Sequence, residues 1–85
     1  MEIILLPKAE RDINYWYKSG NKQILKKITQ LLKTILEDPY GGIGKPEALK
    51  HELTGLWSRR INTEHRLIYE IDDNSVFIHS CKGHY

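Results

Sequence analysis

At 85 residues the chain has room for one domain and one core, and with 40% hydrophobic and 28% charged residues it is neither a disordered polymer nor an uninterrupted apolar one. Its 13 basic residues against 11 acidic ones leave a net charge of +2, so the total charge does not imply a nucleic-acid partner and only its placement is informative. The single cysteine, Cys81, excludes an internal disulfide framework and a Cys-based zinc site and suits a reducing, cytoplasmic setting.

No window reaches the ~18 apolar residues of a membrane span, and MEIILLPKAE has neither the basic flank nor the longer apolar stretch of a signal peptide. Residues 2–6 form a short apolar run that predicts a strand ending at Pro7, which has no ladder donor. Ala9, Ile13, Trp16 and Tyr17 then fall at the spacing of an amphipathic helix over 9–18, and Ser19-Gly20-Asn21 stops it. Ile24, Leu25, Ile28, Leu31, Leu32, Ile35 and Leu36 mark one face of a second helix, which Asp38-Pro39 ends. Residues 40–44 read as a loop, because the backbone entropy of Gly41, Gly42 and Gly44 opposes a regular element. Residues 45–53 predict a turn or two of helix, with Pro46 at its first position and Leu49 and Leu53 on one face.

From there the period becomes alternating. Residues 56–61, 66–71 and 76–81 read as strands of an antiparallel meander, separated by turn-forming Asn62-Thr63-Glu64-His65 and Asp72-Asp73-Asn74-Ser75. The expected fold class is α+β in two layers: one domain over 1–85, with a small antiparallel sheet packed against two N-terminal helices.

Charge concentrates between Lys45 and Arg66, where Lys45, Lys50, Arg59, Arg60 and Arg66 accompany His51 and His65. Guanidinium forks on strands suit a phosphodiester, although each arginine alone reads equally well as a solvated strand residue. If Arg60 and Arg66 address one phosphate, they must share a sheet face, which requires a loop that pairs residue 60 with residue 66. Glu47 beside Pro46 has a structural account in the first turn of the expected helix, where the dipole favours a carboxylate and Lys50 can pair with it. His84 and Tyr85 close the tail Lys82-Gly83-His84-Tyr85 with an imidazole and a phenol, groups able to move a proton or stack on a base. There is no GxxxxGK loop, HExxH spacing or nucleophile elbow, so neither a metal nor a cofactor is expected. Three readings remain open on residue chemistry: a ribonuclease, an RNA-binding surface using Trp57 and Tyr85, and a protein-contact surface. Only the enzyme requires His84.

Gly44-Lys45-Pro46-Glu47, Leu49-Lys50-His51, Leu53, Gly55, Trp57-Ser58-Arg59-Arg60-Ile61, Glu64-His65-Arg66-Leu67, Tyr69 and His84-Tyr85 resemble the YoeB/Txe toxins of the RelE superfamily, over the whole chain. The resemblance implies a RelE-like fold and a toxin of a type II toxin-antitoxin system that cuts mRNA on the ribosome when its antitoxin is lost. It further implies Glu47 as general base, Arg66 as phosphate stabiliser and His84 with Tyr85 completing the site, while Lys50, His51 and Arg60 line it. Arg59 is added as a phosphate-binding residue from the charge cluster. The partners so implied are ribosome-bound mRNA and a YefM/Axe-like antitoxin, with room for a homodimer and no membrane. The alternative within the superfamily is a non-catalytic, ParE-like gyrase inhibitor or an RNA-binding domain. Gly83 stands where a bulky aromatic is usual and Ala48 where proline is common. A flexible tail is expected from Gly83.

Overall fold

Residues 1–84 are described in a computed structural model. Strand β1 (Glu2–Leu5) leads directly into helix α1 (Pro7–Lys18). Pro7 opens the helix instead of closing the strand, because an N–H at the first helical position would have no intrahelical acceptor to lose. Helix α2 (Lys22–Glu37) is capped by Asn21, whose side-chain oxygen accepts the Ile24 N–H at 3.1 Å. Strands β2 (Glu47–Ala48), β3 (Trp57–Arg60), β4 (Arg66–Asp72) and β5 (Ser75–Ser80) follow.

The strands form one sheet in the order β1-β5-β4-β3-β2. β3, β4 and β5 pair antiparallel, as the alternating pattern predicts, and β2 adds antiparallel to β3, but β1 pairs with β5 in parallel, so the five-stranded sheet is mixed and not wholly antiparallel. The connection between this parallel pair runs through both helices and then β2, β3 and β4, far longer than a hairpin turn. Register rewards it, because Ile3 and Leu5 stand beside Val76 and Ile78 and pack against the core.

The expected helix over 45–53 does not form. Glu47 and Ala48 pair with Ser58 and Trp57, Leu49 N–H donates to Leu56 O at 2.9 Å, and only His51–Leu53 makes a 3-10 turn. Lys45 and His51 have φ of 50° and 59°, outside the helical region. Edge pairing and the burial of Leu49 override the local signal of Pro46, and Glu47 loses its account as a helix-start carboxylate.

Both helices cover one sheet face. Ala9 and Trp16 of α1 and Ile24, Ile28, Leu31 and Ile35 of α2 bury against Leu67, Tyr69, Val76 and Ile78. Each such aliphatic side chain contributes roughly 1.5–3 kcal/mol. A fixed point ties α1 to the end of β5: Asp12 accepts the Cys81 N–H at 3.0 Å while Trp16 Nε1–H donates to Cys81 O at 2.9 Å. Burial, then the Asp12 carboxylate, push the Cys81 thiol up to about 12 against an opposing Lys8, so the sulfur stays protonated and unreactive. No helix among the described residues is long and apolar enough to cross a membrane.

Candidate functional site

Alternation along β3 sends neighbouring residues to opposite faces. Arg59 is paired with Leu67 and faces the helices, where it is fully buried. Its guanidinium donates from Nη2 to Asp38 O (2.8 Å), from Nη1 to Ile43 O (2.8 Å) and from Nε to the Tyr69 hydroxyl (3.0 Å). The Tyr69 hydroxyl donates in turn to Pro39 O at 2.9 Å, and burial holds its phenol above the usual value although Arg59 opposes this. Arg59 is therefore not placed to bind a phosphate: Nη1 and Nη2 are directed at the loop after α2 and Nε at Tyr69 of β4, so it staples that loop to the sheet.

That loop returns to the sheet at Gly44. Gly44 has φ of 89°, and a Cβ there would lie 2.7 Å from Leu31 Cδ2 and 3.1 Å from Arg59 Cβ, so only glycine fits. Its carbonyl accepts the Arg60 N–H at 2.6 Å, which delivers Lys45-Pro46-Glu47 alongside β3.

On the other, helix-free face, Glu47 stands opposite Ser58 and Arg60 opposite Arg66. This is the 60-to-66 register that a shared phosphate requires. A cavity of about 250 Å³ is lined by Lys45, Glu47, Ser58, Arg60 and Arg66, so three cationic side chains meet one carboxylate there. The positive balance suits an anion. Arg66 is oriented from behind, its Nη1 donating to Asn62 O (2.8 Å), His65 O (3.1 Å) and Thr63 O (3.4 Å). The turn that supplies those carbonyls is held by Asn62 Oδ1, which accepts from the N–H groups of Glu64 and His65. Nε and Nη2 of Arg66 make no hydrogen bond to a described residue. Lys50 and His51 line a neighbouring cavity of about 450 Å³, and Glu47 belongs to both.

His84 is exposed and follows Gly83, whose carbonyl accepts the Arg66 N–H at 3.1 Å and whose N–H donates to His65 Nδ1 at 2.8 Å. The tail is thus held at Gly83 by two hydrogen bonds that the sequence alone did not announce. Gly83 has φ of 85°, so glycine there permits a defined turn. Tyr85 lies outside the described residues. The structure brings Glu47, Arg60 and Arg66 to one cavity and sets Lys50 and His51 beside it. Two lining residues, Lys45 and Ser58, are missed from sequence as site residues. Alternation with Arg60 was the available signal for Ser58, and membership of the basic cluster that for Lys45.

The family described as YoeB-like toxin of bacterial type II toxin-antitoxin system matches residues 6–85. The chain belongs to this family. It is 54% identical to toxin YoeB of Synechocystis sp. over 82% of this chain and 81% of that one. With toxin YoeB of Escherichia coli K12 it shares 46% identity over 100% of both chains. Staphylococcus aureus YoeB, solved in a heterotetrameric YoeB-YefM toxin-antitoxin complex, superposes with a TM-score of 0.89 at 50% identity, covering 100% of this chain and 98% of that one. The S. aureus YoeB dimer gives a TM-score of 0.90 at the same identity and coverage. This YoeB-family chain is accordingly a toxin of a type II toxin-antitoxin system, and its α+β fold is the one shared by these RelE-like toxins.

Proposed function

We propose that this YoeB-family toxin is a metal-independent endoribonuclease that cuts mRNA on the ribosome and thereby stops translation. The observation that carries the reading is the gathering of Glu47, Arg60 and Arg66 around one small polar cavity. Glu47 takes the proton of a ribose 2′-OH, and the 2′-oxygen attacks the adjacent phosphorus. Arg66, with Arg60 opposite it, stabilises the charge that develops on the non-bridging oxygens. The bond from phosphorus to the 5′-oxygen breaks, and His84 gives that oxygen its proton. The products are a 2′,3′-cyclic phosphate and a 5′-OH, and all protons and bonds balance without a cofactor. Lys50 and His51 extend the donor surface along the adjoining cavity. Tyr85 stacks on a base or orients the phosphate.

The partners follow from the same surface. A cationic, accessible cleft needs an acidic covering segment to be silenced in the cell that makes it, and the S. aureus YoeB-YefM complex supports a YefM-like antitoxin in that role. The S. aureus dimer supports self-association, and a ribosome-bound substrate implies a cytoplasmic toxin. Incubating message on programmed ribosomes with toxin that has been stripped with EDTA and then freed of chelator, beside untreated toxin, tests the reaction. Equal cutting by both that leaves a cyclic phosphate supports it; cutting lost on stripping and restored by a transition metal, or intact message, refutes it.

A further inference from the structure

We propose that His65 is the positioning residue that fixes the segment carrying His84 against the start of β4. Its catalytic consequence rests on the ribonuclease reading above. Gly83 is held at both of its backbone groups by two consecutive residues, its N–H by His65 Nδ1 at 2.8 Å and its carbonyl by the Arg66 N–H at 3.1 Å. A backbone N–H can only donate, so Nδ1 must accept and the neutral ring carries its proton on Nε2.

The ring is set in place from two sides. Its edge contact with Trp16 has centroids 4.8 Å apart at 76°, and Trp16 is itself locked by its hydrogen bond to Cys81 O. The backbone of His65 is fixed as well, since its N–H donates to Asn62 Oδ1 at 2.8 Å and its carbonyl accepts from Ile61 N–H at 3.0 Å and Arg66 Nη1 at 3.1 Å. His65 therefore touches the helix layer, the guanidinium of Arg66 and the residue just before His84.

A purely structural role does not account for this arrangement. Beyond Cys81 the described chain buries no apolar side chain, so the hold on Gly83 adds nothing to the core. The remaining ties on this segment are peripheral: Lys82 Nζ lies 4.1 Å from the centroid of the Tyr15 ring, and Lys8 Nζ reaches Lys82 O at 3.4 Å. What the His65–Gly83 bond does fix is the direction in which the chain leaves Gly83, and hence where the imidazole of His84 stands relative to Arg66.

Two substitutions separate the acceptor from the ring. His65→Phe keeps a ring against Trp16 and removes the acceptor, whereas His65→Asn keeps an acceptor near the Nδ1 position and removes the ring. Each is made in the full chain and read in two ways: single-turnover and steady-state cleavage of message on programmed ribosomes, and hydrogen exchange at the Gly83 amide by NMR. The expected result for His65→Phe is a fall of about three- to tenfold in kcat with KM little changed, the size of one lost hydrogen bond, with Gly83 exchange faster by a similar factor. His65→Asn should recover most of both. The proposal is overturned if His65→Phe matches the wild type in kcat and Gly83 protection, or if His65→Asn is the more impaired of the two, which would mark a packing role. Should the wild type itself leave message uncut, the ribonuclease reading fails, and the exchange rate alone decides the anchor: faster in His65→Phe upholds it, unchanged overturns it.

Discussion

Arg59 and Arg60 are adjacent in sequence and opposite in use. Arg59 is fully buried under the helices with its donors directed at Asp38, Ile43 and Tyr69, whereas Arg60 is exposed on the far face across from Arg66. The difference comes from the two-residue period of a strand and nothing in the side chain itself. It teaches that this chain's WSRR block holds two devices: one arginine builds the loop that delivers Glu47, and its neighbour helps to line the cavity that Glu47 enters.

The largest effect that sharpens this contrast is on stability. Arg59→Ala empties a fully buried site and removes the bonds to Asp38 O, Ile43 O and the Tyr69 hydroxyl, so it should cost about 3–5 kcal/mol and shift the urea midpoint down accordingly. Arg59→Lys should not rescue it, because an ammonium cannot span the same fork. A variant as stable as the wild type would break the comparison. Next comes Arg66→Ala, expected to slow cleavage by about 10²–10³-fold, the scale of one lost charge-stabilising donor. Its unfolding free energy should change by less than about 1 kcal/mol, since the turn carbonyls it leaves are solvated. Loss of fold instead of rate would mean that both faces of the strand are structural.

A smaller effect belongs to the tail. Substituting Gly83 by Phe forces a side chain into a φ of 85° and costs about 1–2 kcal/mol of local strain. The expected outcome is reduced cleavage and faster exchange of the Arg66 amide, and an equal or higher cleavage rate would contradict the geometry. The last effect is confined to alkaline pH and is absent at neutrality. Because burial raises the Cys81 thiol from 9.0 to about 12, the unfolded state loses that proton first. Its contribution is constant below pH 9 and declines as pH rises towards 12; Tyr69, also raised, acts in the same sense. Denaturation curves of Cys81→Ala should show a shallower alkaline decline than those of the wild type.

Much of this was legible in the residues. The seven-residue apolar face of α2 and the three alternating runs specify the helix and the meander because their signals are local and repeated. The register pairing 60 with 66 was left open, since a four-residue turn over 62–65 would pair 61 with 66; the structure takes Ile61 into the turn and pairs Arg60 with Arg66. Extending that alternation by one residue places Arg59 beside Leu67 on the core side, yet its charge argued for solvent; a buried guanidinium becomes legible only once Asp38, Ile43 and Tyr69 are known to surround it. The parallel placement of β1 and the strand at Glu47 depend on partners far along the chain, which no local pattern carries. The anchor on Gly83 comes from His65, distant in sequence, and so was read instead as looseness.

The central claim is that the helix-free face cuts RNA by internal attack of a 2′-oxygen. The most direct measurement replaces the ribose at the scissile nucleotide of a ribosome-bound message with 2′-deoxyribose and compares its cleavage with the all-ribose message, using wild type and Glu47→Gln. The account predicts that the wild type cuts only the all-ribose message and that Glu47→Gln remains folded and cuts neither. Cleavage of the deoxy-substituted message at the same position would contradict it.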